Sequence, residues 1–225
     1  MIGKKVAKFG GSSLADGQQF KKVYEIIKGD TDTTVIVPSA PGKRNGRDHK
    51  VTDLLYMCYQ LSSHGLNFHE IFKIIEDRFT NICDELMLKI PIGEILKKVK
   101  DDISNGASRD YCASRGEYIN GLILAEYLGY PFIDAKEIIR FKDNGEYDKE
   151  ATEYLIYERL RSMDNAVVPG FYGGKSNGEI VTFSRGGSDV TGAIIAHAIQ
   201  ASLYENWTDV SGFLMADPKV VKDTV

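Results

Sequence analysis

Short apolar runs rich in β-branched residues alternate along this chain with longer stretches in which apolar residues recur every three or four positions. Lys4 to Phe9, Thr34 to Pro38, Phe132-Ile133-Asp134, Ile138 to Phe141 and Ala166-Val167-Val168 read as strands. Between them, Phe20, Val23, Ile26 and Ile27 share one face of a helix that Ser12, Ser13 or Asp16 can cap. Val51 opens a second helix. Asn67 to Asp102 is helical throughout, with Ile71, Ile74, Ile75 and Phe79 on one face and a break near Pro91-Ile92-Gly93. Ser108 to Leu128 and about Lys149 to Met163 are further helices, and Ser176-Asn177-Gly178 has the chemistry of a hairpin turn between Phe171 and Val181. Strands and helices in such alternation predict a doubly wound α/β fold: a three-layer α/β/α sandwich around a mainly parallel sheet.

Composition narrows what that fold can serve. The chain has 225 residues, 43% of them hydrophobic, enough to bury a sizeable core. Its formal net charge of −4 offers no basic field to recruit nucleic acid. Cys58, Cys83 and Cys112 are odd in number and widely spaced, which suits a reducing compartment better than a disulfide framework. Neither a signal-peptide pattern nor an apolar run of membrane-spanning length is seen, so a cytoplasmic, membrane-free protein is expected. His64 and His69 are five apart, off the spacing that puts two ligands on one helical face, and no histidine metal site is expected.

Candidate chemistry gathers at two glycine turns. Thr182-Phe183-Ser184-Arg185-Gly186-Gly187-Ser188-Asp189 runs into the small, apolar helical stretch from Val190 to Ala196. Gly186 and Gly187 let backbone approach a ligand, Ser188 or Asp189 can cap the helix, and the helix N-terminus favours an anion. Arg185 adds a planar fork suited to carboxylate or phosphate. An ordinary capped helix after a glycine turn explains the octapeptide equally well. Lys8-Phe9-Gly10-Gly11-Ser12-Ser13 is a second such turn, neither a Walker A loop nor a GxGxxG fingerprint, and Lys8 taken alone reads as a surface lysine. Gly174-Lys175-Ser176 imitates the end of a Walker A loop, but Pro169 stands where that motif needs its first glycine. Gly116, inside a helix, gives room for close approach by a neighbour or ligand, and Glu117 beside it could meet a cation or simply face solvent. The cationic loop from Lys43 to Lys50 reads as solvated and mobile, and Thr52 after it as a cap or a ligand contact.

Seven of these pieces in sequence resemble the aspartokinases of the amino acid kinase family: Lys8-Phe9-Gly10-Gly11-Ser12-Ser13 with Asp16; Ser39-Ala40; Val51-Thr52-Asp53-Leu54-Leu55; Arg115-Gly116-Glu117; Pro169-Gly170-Phe171-Tyr172-Gly173; Arg185-Gly186-Gly187-Ser188-Asp189; and Trp207-Thr208-Asp209-Val210-Ser211-Gly212 with Ala216-Asp217-Pro218. The resemblance implies the carbamate-kinase-like sandwich, with residues 1–225 as a catalytic domain carrying a helical substrate lobe around 67–104. It also implies transfer of the γ-phosphoryl group of ATP, with Mg²⁺, to the β-carboxylate of L-aspartate, the first step toward lysine, threonine and methionine. Lys8 would neutralise the transferred group with Asp189 holding it. Glu117 would take the substrate ammonium and Arg185 its α-carboxylate, with Ser39, Thr52, Phe171 and Ser188 completing the pocket. Gly10, Gly11, Ser12, Thr208, Asp209, Phe213, Asp217 and Lys219 would lie near the nucleotide. Family members continue past the Ala216-Asp217-Pro218 motif into further kinase residues and paired ACT domains, so the chain reads as a fragment of a homodimeric enzyme. A glutamate-kinase-like activity, or a binding or oligomerising piece without turnover, are the alternatives.

Overall fold

The computed structural model describes residues 4–30, 32–184 and 186–208. Its elements run β1 (Lys5–Phe9), a 3-10 turn (Gly11–Leu14), α1 (Gly17–Gly29), β2 (Thr33–Pro38), α2 (Val51–Ser63), α3 (His69–Glu85), α4 (Ile92–Ser104), α5 (Arg109–Leu128) and α6 (Ala135–Ile138). They continue with α7 (Lys149–Leu160), β3 (Ala166–Val167), β4 (Tyr172–Gly174), β5 (Ile180–Thr182), α8 (Gly187–Ala198) and β6 (Leu203–Trp207). One sheet has the order β3-β2-β1-β6, parallel at each pairing, and Phe132 adds a parallel bridge to Val167. β4 and β5 form a separate antiparallel pair around the Ser176-Asn177-Gly178 turn, where Gly178 takes a φ of 85°.

Alternation along the strands sorts the sheet's side chains into two cores. Ala7, Phe9, Ile36 and Val167 join Phe20, Leu54, Phe72, Phe79, Leu96 and Ile123 from the layer of α1 to α5. Val6, Val35, Val37, Ala166 and Val168 face the opposite way, onto Ile138, Ile156, Leu160 and Ile195 from α6 to α8. Helices thus cover both faces of a parallel sheet, the expected sandwich. Lys8 shares its parity with Val6, which directs its stem to the α8 side.

Local signals explain most boundaries. Asp16 caps α1 through the Gln19 N–H at 2.9 Å, Ser108 caps α5 through Tyr111, and Asp148 caps α7 through Ala151. Such a cap contributes about 1 kcal/mol. Gly129, at φ 69°, ends α5. The structure corrects three expectations. Asp134 caps a single helical turn at Ala135–Ile138, so the strand expected from Ile138 to Phe141 shrinks to bridges at Arg140 and Phe141. On α3 the buried stripe runs through Phe72, Ile75, Phe79 and Ile82, leaving Ile74 half-exposed. Neither Ser188 nor Asp189 caps α8, whose N-cap is Gly186 in the left-handed region. Among the described residues no helix is long and apolar enough to cross a membrane.

Candidate active site

Parallel strands deliver their C-terminal ends to one edge of the sheet, and the turns after β1 and β2 meet there. The Gly42 N–H donates to the Gly11 carbonyl at 2.8 Å, and a Cβ added at Gly42 would stand 2.6 Å from the Gly11 carbonyl carbon. Backbone touches backbone, with no room for a side chain between the two loops. Gly42→Ala is therefore expected to destabilise the fold by about 1 to 3 kcal/mol, read as a lower denaturant midpoint.

Above this junction lies a cleft of about 650 Å³. Lys8, Gly10, Gly11, Ser12, Ser39, Thr52, Glu117 and Thr208, all singled out from the sequence, line it. Lys43 and Lys50 line it too, so the loop read as merely solvated borders the cleft. Thr52 does not cap α2, whose N-cap position is Lys50.

Lys8 is buried except toward the cleft, and its Nζ lies 2.7 Å from Asp189 Oδ1 in the first turn of α8. The Tyr204 hydroxyl from β6 donates to the Asp189 carbonyl at 3.1 Å, fixing that turn from the other side. Gly192 permits this packing, because a Cβ there would meet the Tyr204 ring at 2.6 Å. A Cβ at Gly10 would stand 3.6 Å from Lys8 Nζ, so the glycine keeps the space beside the ammonium open.

Glu117 contributes a carboxyl from α5. Gly116 lets the helix seat against the loop after β2, since a Cβ there would meet the Ala40 methyl at 2.8 Å. The reading of Glu117 as a solvated residue is overturned: it is 5% exposed, and Oε2 has no hydrogen-bond partner among the described residues. Burial pushes its carboxyl up to about 8, an effect that the Ala40 backbone N–H partly opposes. A buried carboxyl with an unmatched oxygen, open to a cleft, is suited to a cationic ligand group. Asn120, one turn further along α5 and fully buried, donates to the Ser39 carbonyl at 2.7 Å and orients that loop. The sequence reading missed it, although a polar residue three positions after Glu117 in an otherwise apolar run was a signal.

Phe171 and Ser188 are packed at the start of α8, outside the cleft wall. A Cβ at Gly187 would collide with Phe171, and one at Gly170 would collide with Ser188. Phe171 holds a φ of 78°, and its N–H is satisfied by Thr191 Oγ1 at 3.1 Å. Arg185, Asp209, Phe213, Asp217 and Lys219 lie outside the described residues. The three cysteines are buried, and burial raises their thiols to between about 11 and about 12, so they are poor nucleophiles.

The chain is 36% identical to aspartokinase 3 of Bacillus subtilis over 97% of its own length and 51% of that protein. It superposes on the aspartate kinase of Clostridium acetobutylicum with a TM-score of 0.93 at 55% identity, covering 99% of this chain and 51% of that one. Escherichia coli aspartokinase III in complex with aspartate and ADP gives a TM-score of 0.83 at 27% identity, with 98% and 52% covered. The chain therefore spans about half the length of the relatives it matches. A sequence model described as the amino acid kinase family matches residues 3–225, and with a parallel sheet whose loops form a lysine- and glycine-lined cleft, the chain belongs to that family.

Proposed function

We propose that this chain is the catalytic portion of an aspartate kinase, transferring the γ-phosphoryl group of ATP to the β-carboxylate of L-aspartate to give 4-phospho-L-aspartate. The observation that carries the reading is one cleft holding both a clamped lysine, Lys8 on Asp189, and a buried carboxyl, Glu117. An anionic group in transit needs the first, and an amino acid's ammonium needs the second. The relatives named above, one of them solved with aspartate and ADP, support the same choice.

Phosphoryl transfer to a carboxylate needs no base, because the nucleophile is already ionised. Catalysis then rests on alignment and charge neutralisation. Lys8 takes charge developing on the transferred group, and Gly10 and Gly11 keep backbone close to the phosphates. Glu117 and Arg185 fix the two ends of the amino acid, with Ser39, Thr52, Phe171 and Ser188 shaping its pocket. Thr208, Asp209, Phe213, Asp217 and Lys219 serve the nucleotide. Mg²⁺ would arrive on the nucleotide and offset phosphate charge. Among the described residues no three acidic, histidine or cysteine side chains gather as a metal site.

A coupled ADP-release assay on the full-length protein tests the reading. ADP release is expected with L-aspartate and not with N-acetylglutamate, which has no ammonium for Glu117. Preference for glutamate over aspartate would move the assignment to a sister kinase. Calorimetric binding of aspartate or nucleotide without any turnover would reduce it to a binding role.

A further inference from the structure

Arg78 sits on the buried face of α3 and is 3% exposed, yet it is not part of the cleft wall. Its Nη1 donates to the Gly42 carbonyl at 2.8 Å and to the Ala15 carbonyl at 3.3 Å. Its Nη2 pairs with Asp48, which also accepts from the Arg44 backbone N–H at 2.9 Å and from the Arg44 side chain at 2.8 and 3.1 Å. One guanidinium therefore reaches three segments: the turn after β1, the turn after β2, and the cationic loop that ends in Lys50.

Stability is a weak reason for such an arrangement. Burying a charged pair costs desolvation that its attraction rarely exceeds, and a well-packed apolar substitute is often as stable. Arg78 even leaves Nε without a hydrogen-bond partner among the described residues. What the fork supplies is geometry. Its planar donors fix the spacing of two carbonyls and a carboxylate in a way that a point charge cannot. Two of those anchors belong to the border of the cleft, because Gly42 itself lines it and bonds Gly11, and Asp48 stands two residues before the lining residue Lys50.

We propose that Arg78 is a positioning residue for phosphoryl transfer: it holds the two glycine turns in register and fastens the loop bearing Lys43 and Lys50 across the mouth of the cleft. It acts through backbone and Asp48 and touches neither substrate. Lys43 and Lys50 then present fixed positive charge to the phosphates. Without Arg78 the loop keeps its charge but loses its place.

This inference rests on the kinase reading, and its test separates the two. In the full-length enzyme, Arg78→Lys keeps a cation but cannot span three acceptors. Its kcat is expected to fall and its KM for ATP to rise, each on the order of tenfold, as the loss of one charge-assisted hydrogen bond implies. KM for aspartate should move less than KM for ATP, because Glu117 stands on α5 and Asn120 of the same helix holds the Ser39 carbonyl independently of Arg78. Asp48→Ala, which frees the loop but leaves both carbonyl contacts, should raise KM for ATP with a smaller loss of kcat. Methylguanidine added to Arg78→Ala should restore part of the rate. A merely structural arginine would lower the melting temperature and leave kcat and both KM values of folded Arg78→Lys and Asp48→Ala at wild-type levels, and that result overturns the proposal. If Arg78→Ala fails to fold, the other two variants still decide. If the wild-type enzyme shows no aspartate-dependent ADP release, the kinase reading fails by itself. Calorimetric ADP binding then tests Arg78, and unchanged affinity in Arg78→Lys overturns its role.

Discussion

Replacing Lys8 with alanine in the full-length enzyme is expected to lower kcat by about a hundred- to a thousandfold while KM for aspartate changes little. That range is what removal of one preorganised group facing developing charge produces in other enzymes. The expectation follows from where β1 puts the side chain. Alternation directs Lys8 to the α8 face, the surrounding strands bury its stem, and Asp189 takes hold of the ammonium at 2.7 Å. The Asp189 side chain is 47% exposed, so the pair adds little to stability and its value lies in aiming the charge. Asp189→Ala should therefore cost less than Lys8→Ala. The double variant should be no worse than Lys8→Ala alone, since Asp189 acts through the lysine. Steady-state kinetics with both substrates varied gives the answer. Equal losses in kcat and in aspartate affinity would mark Lys8 as a plain binding residue, because a group that matters only during transfer leaves ground-state binding alone.

Features with local causes were legible in the sequence. Caps, glycine turns and the hairpin each depend on a few neighbouring residues, and those neighbours are adjacent in the chain. Asp16 and Ser176-Asn177-Gly178 are of this kind. Gly116 was readable as a place of close approach, although its partner, the Ala40 methyl, was not. Where the reading failed, a distant contact or a competing local one had decided the outcome. Asp134 capped a turn in a stretch that had strand composition. The loop from Lys43 to Lys50 has the sequence of a solvated tail, yet Asp48 in its middle is pinned by Arg78, 30 residues on. Arg78 itself stands between Ile75 and Ile82 at helical spacing, on the stripe that packs inward. An arginine on an apolar stripe was the available signal, and no local rule says which acceptors it will find.

The second large effect is expected from Glu117, as opposite pH trends in stability and in substrate binding. Its carboxyl would titrate near 4.5 when unfolded and at about 8 in the folded, empty cleft, because burial disfavours the charge. Between those values the folded protein holds a proton that the unfolded chain has released. This group's contribution to stability is then full below the unfolded value, declines as pH rises and is lost above about 8. Binding runs the other way. An ammonium placed on Glu117 favours the carboxylate, so aspartate must displace the proton that the empty site holds. At pH 7 the empty site mostly holds its proton, so aspartate binding should release a proton. Affinity should climb by up to about tenfold per pH unit from 6 toward 8 and then level off. Calorimetry at pH 7 in two buffers of different ionisation enthalpy reads the proton directly, and thermal melts of the empty protein read the stability trend. Glu117→Gln, which cannot titrate, should flatten both and weaken aspartate. An aspartate affinity that is constant from pH 6 to 8, with no proton released, would place the ammonium elsewhere in the cleft and remove Glu117 from substrate recognition.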